Sequence, residues 1–252
     1  VTPAHVAVLL LSLLSGVTMT LGVLLALALR ENRRALAAGL GFSTGIMVLL
    51  SLLELLPASI AGLGVWRTLA SAGLGAAGIW AAVLIIPHTH LLEERGETRE
   101  TSGTTSAYLV VCGLILHDVP EGFAMANAYI ASPGLGILIA LAIALHNLPE
   151  QFAMAVPAVT LRSRRRLFGA ALLAALAEPV GAIIGLVAVG IAPALNAGFL
   201  AVAAGAMLFV AIHELVPMAR RYRHTGLFLG GLGLAALVYR LLARAILTPG
   251  VP

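Results

Sequence analysis

The sequence predicts an all-α integral membrane protein of eight transmembrane helices, with both termini outside the cytoplasm. Three observations carry that prediction. The chain is 60% hydrophobic and only 10% charged, against about 45–50% apolar and about 25% charged residues in a soluble domain. Eight apolar stretches can be drawn, at about 4–29, 36–60, 67–87, 107–130, 135–158, 167–191, 195–218 and 226–247, each near the ~20 residues a bilayer demands. The arginines lie almost wholly in alternate connections between them. The whole chain, 1–252, reads as a single transmembrane domain with one long cytoplasmic loop at 88–106.

Orientation follows from those arginines. Arg30, Arg33 and Arg34 follow the first span, Arg95 and Arg99 lie between the third and fourth, Arg162 and Arg164 to Arg166 follow the fifth, and Arg220, Arg221 and Arg223 follow the seventh. Cytoplasmic loops carry the basic excess, so these twelve of the fifteen arginines mark the inner side. Arg67, Arg240 and Arg244 fall near outer span ends, where long side chains can snorkel. The pI near 10.0 comes from arginine alone. It reads as loops facing an anionic leaflet and not as nucleic-acid binding.

The first span is too long, and lacks the cleavage flank, for a signal peptide, so it is expected to be retained. Its Ser12, Ser15, Gly16, Thr18 and Thr20 suit close helix contact. The second carries Glu54 near its outer end, before Pro57, as an interfacial carboxylate or a cation-attracting entrance. The third, rich in Gly and Ala, is a packing helix. The loop that follows holds His88 and His90 among acidic residues. It reads as a solvated segment that binds metal loosely at most. The single cysteine, Cys112, excludes an internal disulfide and a cysteine-cluster metal site, and is expected to be a buried apolar residue.

The fourth and fifth spans hold the chemistry. Leu116-His117-Asp118-Val119-Pro120-Glu121-Gly122-Phe123-Ala124-Met125-Ala126 returns twenty-nine positions later as Leu145-His146-Asn147-Leu148-Pro149-Glu150-Gln151-Phe152-Ala153-Met154-Ala155, with eight of eleven positions identical. Each copy sets an imidazole and a carboxylate four residues apart, on one helix face. Each proline removes a backbone donor, freeing the Leu116 and Leu145 carbonyls and predicting a kink. A hairpin turn at Ser132-Pro133-Gly134 would set His117 level with Glu150 and Glu121 level with His146. Burying such groups costs about 2.5–3.5 kcal/mol for one Asp alone, and a bound divalent ion is the natural compensation.

The sixth span adds Glu178 before Pro179, at the depth of Glu150. The seventh adds His213-Glu214, nearer the inner end, without the second His of a zinc-protease H-E-x-x-H. The eighth carries no central ionisable group. Together these residues form rungs from one face to the other, which describes a path for a cation.

These motifs resemble the ZIP (Zrt-, Irt-like protein) family of divalent metal transporters, most nearly its bacterial GufA-like branch. The carriers are His117-Asp118-Val119-Pro120-Glu121-Gly122, His146-Asn147-Leu148-Pro149-Glu150, Ala177-Glu178-Pro179 and His213-Glu214. The resemblance implies a binuclear centre, one site from His117, Glu121, His146 and Glu150, the other from Asp118, Glu121, Asn147, Glu150 and Glu178. It further implies homodimers and an elevator-like movement of spans one, four, five and six. Two positions depart from the family pattern: Asp118 stands where Asn is usual, and Gln151 where Gly is usual.

The expected function is transport of Zn²⁺, with Fe²⁺, Mn²⁺ or Cd²⁺ as further cargo, across a bacterial inner membrane into the cytoplasm. Glu54, His213, Glu214, His88 and His90 are expected along the pathway. An intramembrane metalloenzyme is the main alternative, and a protein whose metals only staple helices is a second.

Overall fold

The computed structural model describes residues 2–29, 32–85, 103–159, 169, 173 and 175–247, without the side chains of 85, 103–116 and 157–159. The 88–102 part of the loop with His88 and His90, the arginines from Arg162 to Arg166, Arg30, most of the start of the sixth span and the Cys112 side chain therefore lie outside the described residues.

A chain in hydrocarbon must satisfy its backbone internally, and the described residues comply with helix upon helix and no strand. Helix α1 (Pro3–Leu29) begins on proline, whose missing N–H is harmless at a first helical position. Asn32 caps α2 (Arg33–Leu50), its side-chain oxygen accepting the Ala35 N–H at 3.1 Å. A π-helical turn (Ser51–Leu55) joins α2 to α3 (Leu56–Leu63). Helix α4 (Val65–Ile85) follows after one residue, Gly64, whose φ of 76° favours glycine. Next come α5 (Gly103–Ala131) and α6 (Pro133–Val159), then α7 (Ala177–Ile191). Helix α8 (Asn196–Val210), a second π-helical turn (Ala211–Leu215) and α9 (Val216–Arg221) form one rod, and α10 (Thr225–Leu247) closes the chain.

Six of these bodies are long and apolar enough to cross a membrane: Pro3–Leu29, Arg33–Leu63, Val65–Leu84, Pro133–Val156, Pro193–Arg221 and Thr225–Leu247. The surface agrees. Leu10, Trp66, Leu74, Ile191 and Leu241 point outward, whereas Ser12, Ser15, Ser43, Thr44, His117 and Glu121 are buried. An apolar outside around a polar inside suits lipid as the solvent.

Four helix pairs make the bundle: α1 with α6, α5 with α7, α2 with α10, and α4 with α8. The crossing of α5 and α7 is the tightest beside the repeated phrase. A Cβ on Gly122 would overlap the Glu178 carbonyl oxygen, and one on Gly181 would overlap that of Val119. Only hydrogen at both positions lets the backbones meet. Where α1 meets α6 the small residue is on the other partner. Gly22, lacking a side chain, leaves room for the Leu148 carbonyl and the Gln151 Cβ. Gln151, in the place Gly122 holds in the first copy, therefore does not prevent close packing.

Helices α5 and α6 continue through Pro120 and Pro149, with only Ser132 between them. Departures from α geometry are also found before Pro57 and Pro217, in the two π-helical turns. Both turns carry the same pattern, Glu54-Leu55-Leu56-Pro57 and Glu214-Leu215-Val216-Pro217.

Candidate metal centre

The two copies of the phrase do face each other crosswise. The α5–α6 turn puts Glu121 beside His146, with His146 Nε2 3.0 Å from Glu121 Oε1 and 3.5 Å from Glu150 Oε2. The other ring nitrogen, Nδ1, lies 3.1 Å from the Ala142 carbonyl. A proton on Nδ1 serves that bond and aims the Nε2 lone pair at the carboxylates. Lone pairs and carboxylates repel unless a proton or a cation lies between them. The ligand atoms of Glu121, His146 and Glu150 all lie within 4.8 Å of one another and are buried, a space that suits one divalent ion bonded at ~2.0–2.2 Å.

The backbone at His146 is held from a third helix. Ser43 of α2 donates to the His146 carbonyl at 2.9 Å. Proline at 149 lacks the N–H that would bond the neighbouring Leu145 carbonyl.

Asn147 lies across the helix from His146 and does a different job. Its amide donates to Ser15 Oγ at 2.5 Å and to Glu178 Oε2 at 3.3 Å. Glu178, the first-turn acid of α7, is thereby drawn toward α6. Asp118 is buried near enough to Glu121, Glu150 and Glu178 to interact electrostatically with each.

Glu214, expected along the pathway nearer the inner end, lies with its Oε2 3.4 Å from His117 Nε2, both side chains no more than 2% exposed. It sits inside the second π-helical turn. His213 is not brought to the centre. It is exposed and stacks on Phe209 with ring centroids 4.8 Å apart. Glu54 also stays apart, half-buried and accepting a 2.5 Å hydrogen bond from the Tyr239 hydroxyl. Ser15, Ser43 and Tyr239 are contacts the sequence did not reveal, since hydroxyls carry no periodic signal. The Glu-Leu-x-Pro pattern around Glu214 was readable.

Five buried carboxylates and two imidazoles thus gather in an apolar bundle. Asp118 Oδ2, Glu121 Oε2, Glu150 Oε1, Glu178 Oε1 and Glu214 Oε1 accept no hydrogen bond. Leaving ionised oxygens buried and unpaired is costly, and a divalent cation in their midst offsets the cost. The donor set, imidazole with carboxylate, fits zinc and its first-row neighbours.

Comparison with known proteins agrees with this chemistry. The sequence model of the family described as ZIP Zinc transporter matches residues 86–242. The "Zinc transporter GufA" of Myxococcus xanthus is 40% identical over 159 residues, 60% of this chain and 61% of that protein. A "Zinc transporter ZupT" of Stenotrophomonas maltophilia is 39% identical over 157 residues, 58% of each chain. These two matches span about six tenths of each relative's length. The "Zinc transporter ZupT" of Chlorobium luteolum is 36% identical over 258 residues, 94% of this chain and 97% of that protein. Matched over most of its length on both counts, the chain belongs to the ZIP zinc transporter family.

Proposed function

We propose that this protein transports divalent metal ions into the cytoplasm, Zn²⁺ foremost, with Fe²⁺, Mn²⁺ and Cd²⁺ as further cargo. One observation carries the reading: buried carboxylate oxygens without hydrogen-bond partners surround His146 at the centre of an apolar bundle. The relatives' names, all zinc transporters, support transport over catalysis and over a purely structural role for the metal.

Within this reading the centre is binuclear. His117, Glu121, His146 and Glu150 serve one ion; Asp118, Glu121, Asn147, Glu150 and Glu178 serve the other. Glu214, beside His117, joins the inner exit from the first. The ligands replace the ion's water shell, and movement of α1, α5, α6 and α7 against the rest then exposes the site inward. The 252 residues form one domain of eight spans, with both termini outside the cytoplasm. It sits in a bacterial inner membrane and pairs with a second copy. The alternation of arginines supports the orientation, and the helix pairs α1–α6 and α5–α7 support a moving unit built from those four.

Ion flux into proteoliposomes separates this reading from its rivals. Wild-type protein should accumulate Zn²⁺ down its gradient, and His146→Ala should reduce the rate at least tenfold at equal reconstitution. Tight Zn²⁺ binding without flux would leave the metal a staple or a catalyst and would overturn transport.

A further inference from the structure

Helix α1 supplies no residue to the ligand set above, yet one of its hydroxyls reaches the centre. Polar side chains in a membrane helix ordinarily return to their own backbone. Ser12 does so, donating to the Leu9 carbonyl at 2.9 Å; Thr18 donates to Ser15 at 2.8 Å, and Thr20 to Gly16 at 2.9 Å. Ser15 behaves differently. Fully buried, it accepts the Asn147 amide at 2.5 Å, and the same amide donates to Glu178 Oε2 at 3.3 Å. Through that amide α1, α6 and α7 meet at one point.

The consequence is chemical as well as structural. Asn147 holds Glu178 Oε2, while Glu178 Oε1 accepts no hydrogen bond. One oxygen is fixed and the other remains for a cation. The groups on this side, Ser15, Asp118, Asn147 and Glu178, offer oxygen donors but no imidazole. The side around His146 has imidazole as well as carboxylate. Oxygen-only surroundings suit harder ions such as Mn²⁺, and imidazole suits Zn²⁺.

We infer that Ser15 is a positioning residue. By holding the Asn147 amide that binds Glu178 it sets the oxygen-only half of the centre, and with it the acceptance of hard divalent ions relative to zinc. This rests on the transport reading above.

The test compares Mn²⁺ and Zn²⁺ uptake by proteoliposomes carrying wild type, Ser15→Ala, Ser15→Thr and Ser12→Ala. Outer-sphere partners of metal ligands are worth about 10–100-fold in affinity, so Ser15→Ala should lower the Mn²⁺-to-Zn²⁺ uptake ratio about tenfold. Ser15→Thr keeps the hydroxyl and should restore the ratio. Ser12→Ala removes an equally buried hydroxyl that bonds only its own helix, and should leave the ratio at the wild-type value. Should Ser15→Ala fold poorly, Ser15→Gly, which also lacks the hydroxyl, takes its place with the same expected fall in the ratio. An unmoved ratio in Ser15→Ala, or one displaced in Ser15→Thr, overturns the assignment while leaving transport intact. Wild type that moves neither ion overturns the transport reading and this inference with it.

Discussion

At the scale of the residue, the centre is a problem of buried charge. Glu150 and Glu121 flank His146, and each retains an oxygen without a hydrogen-bond partner. Glu150→Ala should therefore abolish uptake, whereas His88→Ala, in the expected loop, should leave at least half of it. Uptake by the two variants at matched expression checks the ranking. Asp118→Asn removes one negative charge from the buried set yet keeps an oxygen donor. Transport should survive it, with metal affinity lowered about tenfold, read by calorimetric titration of the purified protein. The candidate residues were legible because the phrase occurs twice, and the pairing of Glu121 with His146 followed from hairpin arithmetic. The contact of Glu214 with His117 was not, because nothing in the sequence says which helix the Glu214 face meets. Ser15 was illegible as a partner of the centre, since nothing in its sequence surroundings separates it from Ser12 or Thr18.

At the scale of the element, glycine and proline set where helices meet and where they yield. The Gly122–Gly181 crossing leaves no room for a side chain on either helix, because the obstacles are backbone atoms. Gly122→Ala should lower the thermal unfolding midpoint by several degrees or prevent folding. Gly73→Ala, with open space around it, should leave the midpoint unchanged within a degree or two. Thermal scans of both in one detergent test the contrast. The sequence pointed to the prolines in the repeated phrase as the sites of distortion. The structure shows π-helical turns before Pro57 and Pro217 as well, each with a glutamate inside it. A proline signals a missing hydrogen bond, but not whether the helix absorbs the loss by bending or by an inserted residue.

At the scale of the whole molecule, composition pointed to the all-helical membrane bundle, and arginine placement to its expected orientation. The all-helical bundle, the apolar exterior and the polar interior all follow from a chain that lipid surrounds. Its orientation is testable directly. On a background lacking Cys112, cysteines at Ser102 and Arg164 should react only with reagent on the cytoplasmic side, and one at Gly134 only from outside. Labelling of Gly134 from the cytoplasm would invert the topology. Which helices pair was not legible. It depends on backbone approaches, such as Gly22 against Leu148, that no hydropathy pattern encodes.

We propose that a divalent ion rests among Glu121, His146 and Glu150 on its way through the bundle. Anomalous diffraction at the zinc edge, from crystals grown with Zn²⁺, would locate it. A peak is expected within bonding distance of His146 Nε2 and both carboxylates, lost in His146→Ala crystals. Zinc found only at the surface, in protein that transports it, would rule out this resting place.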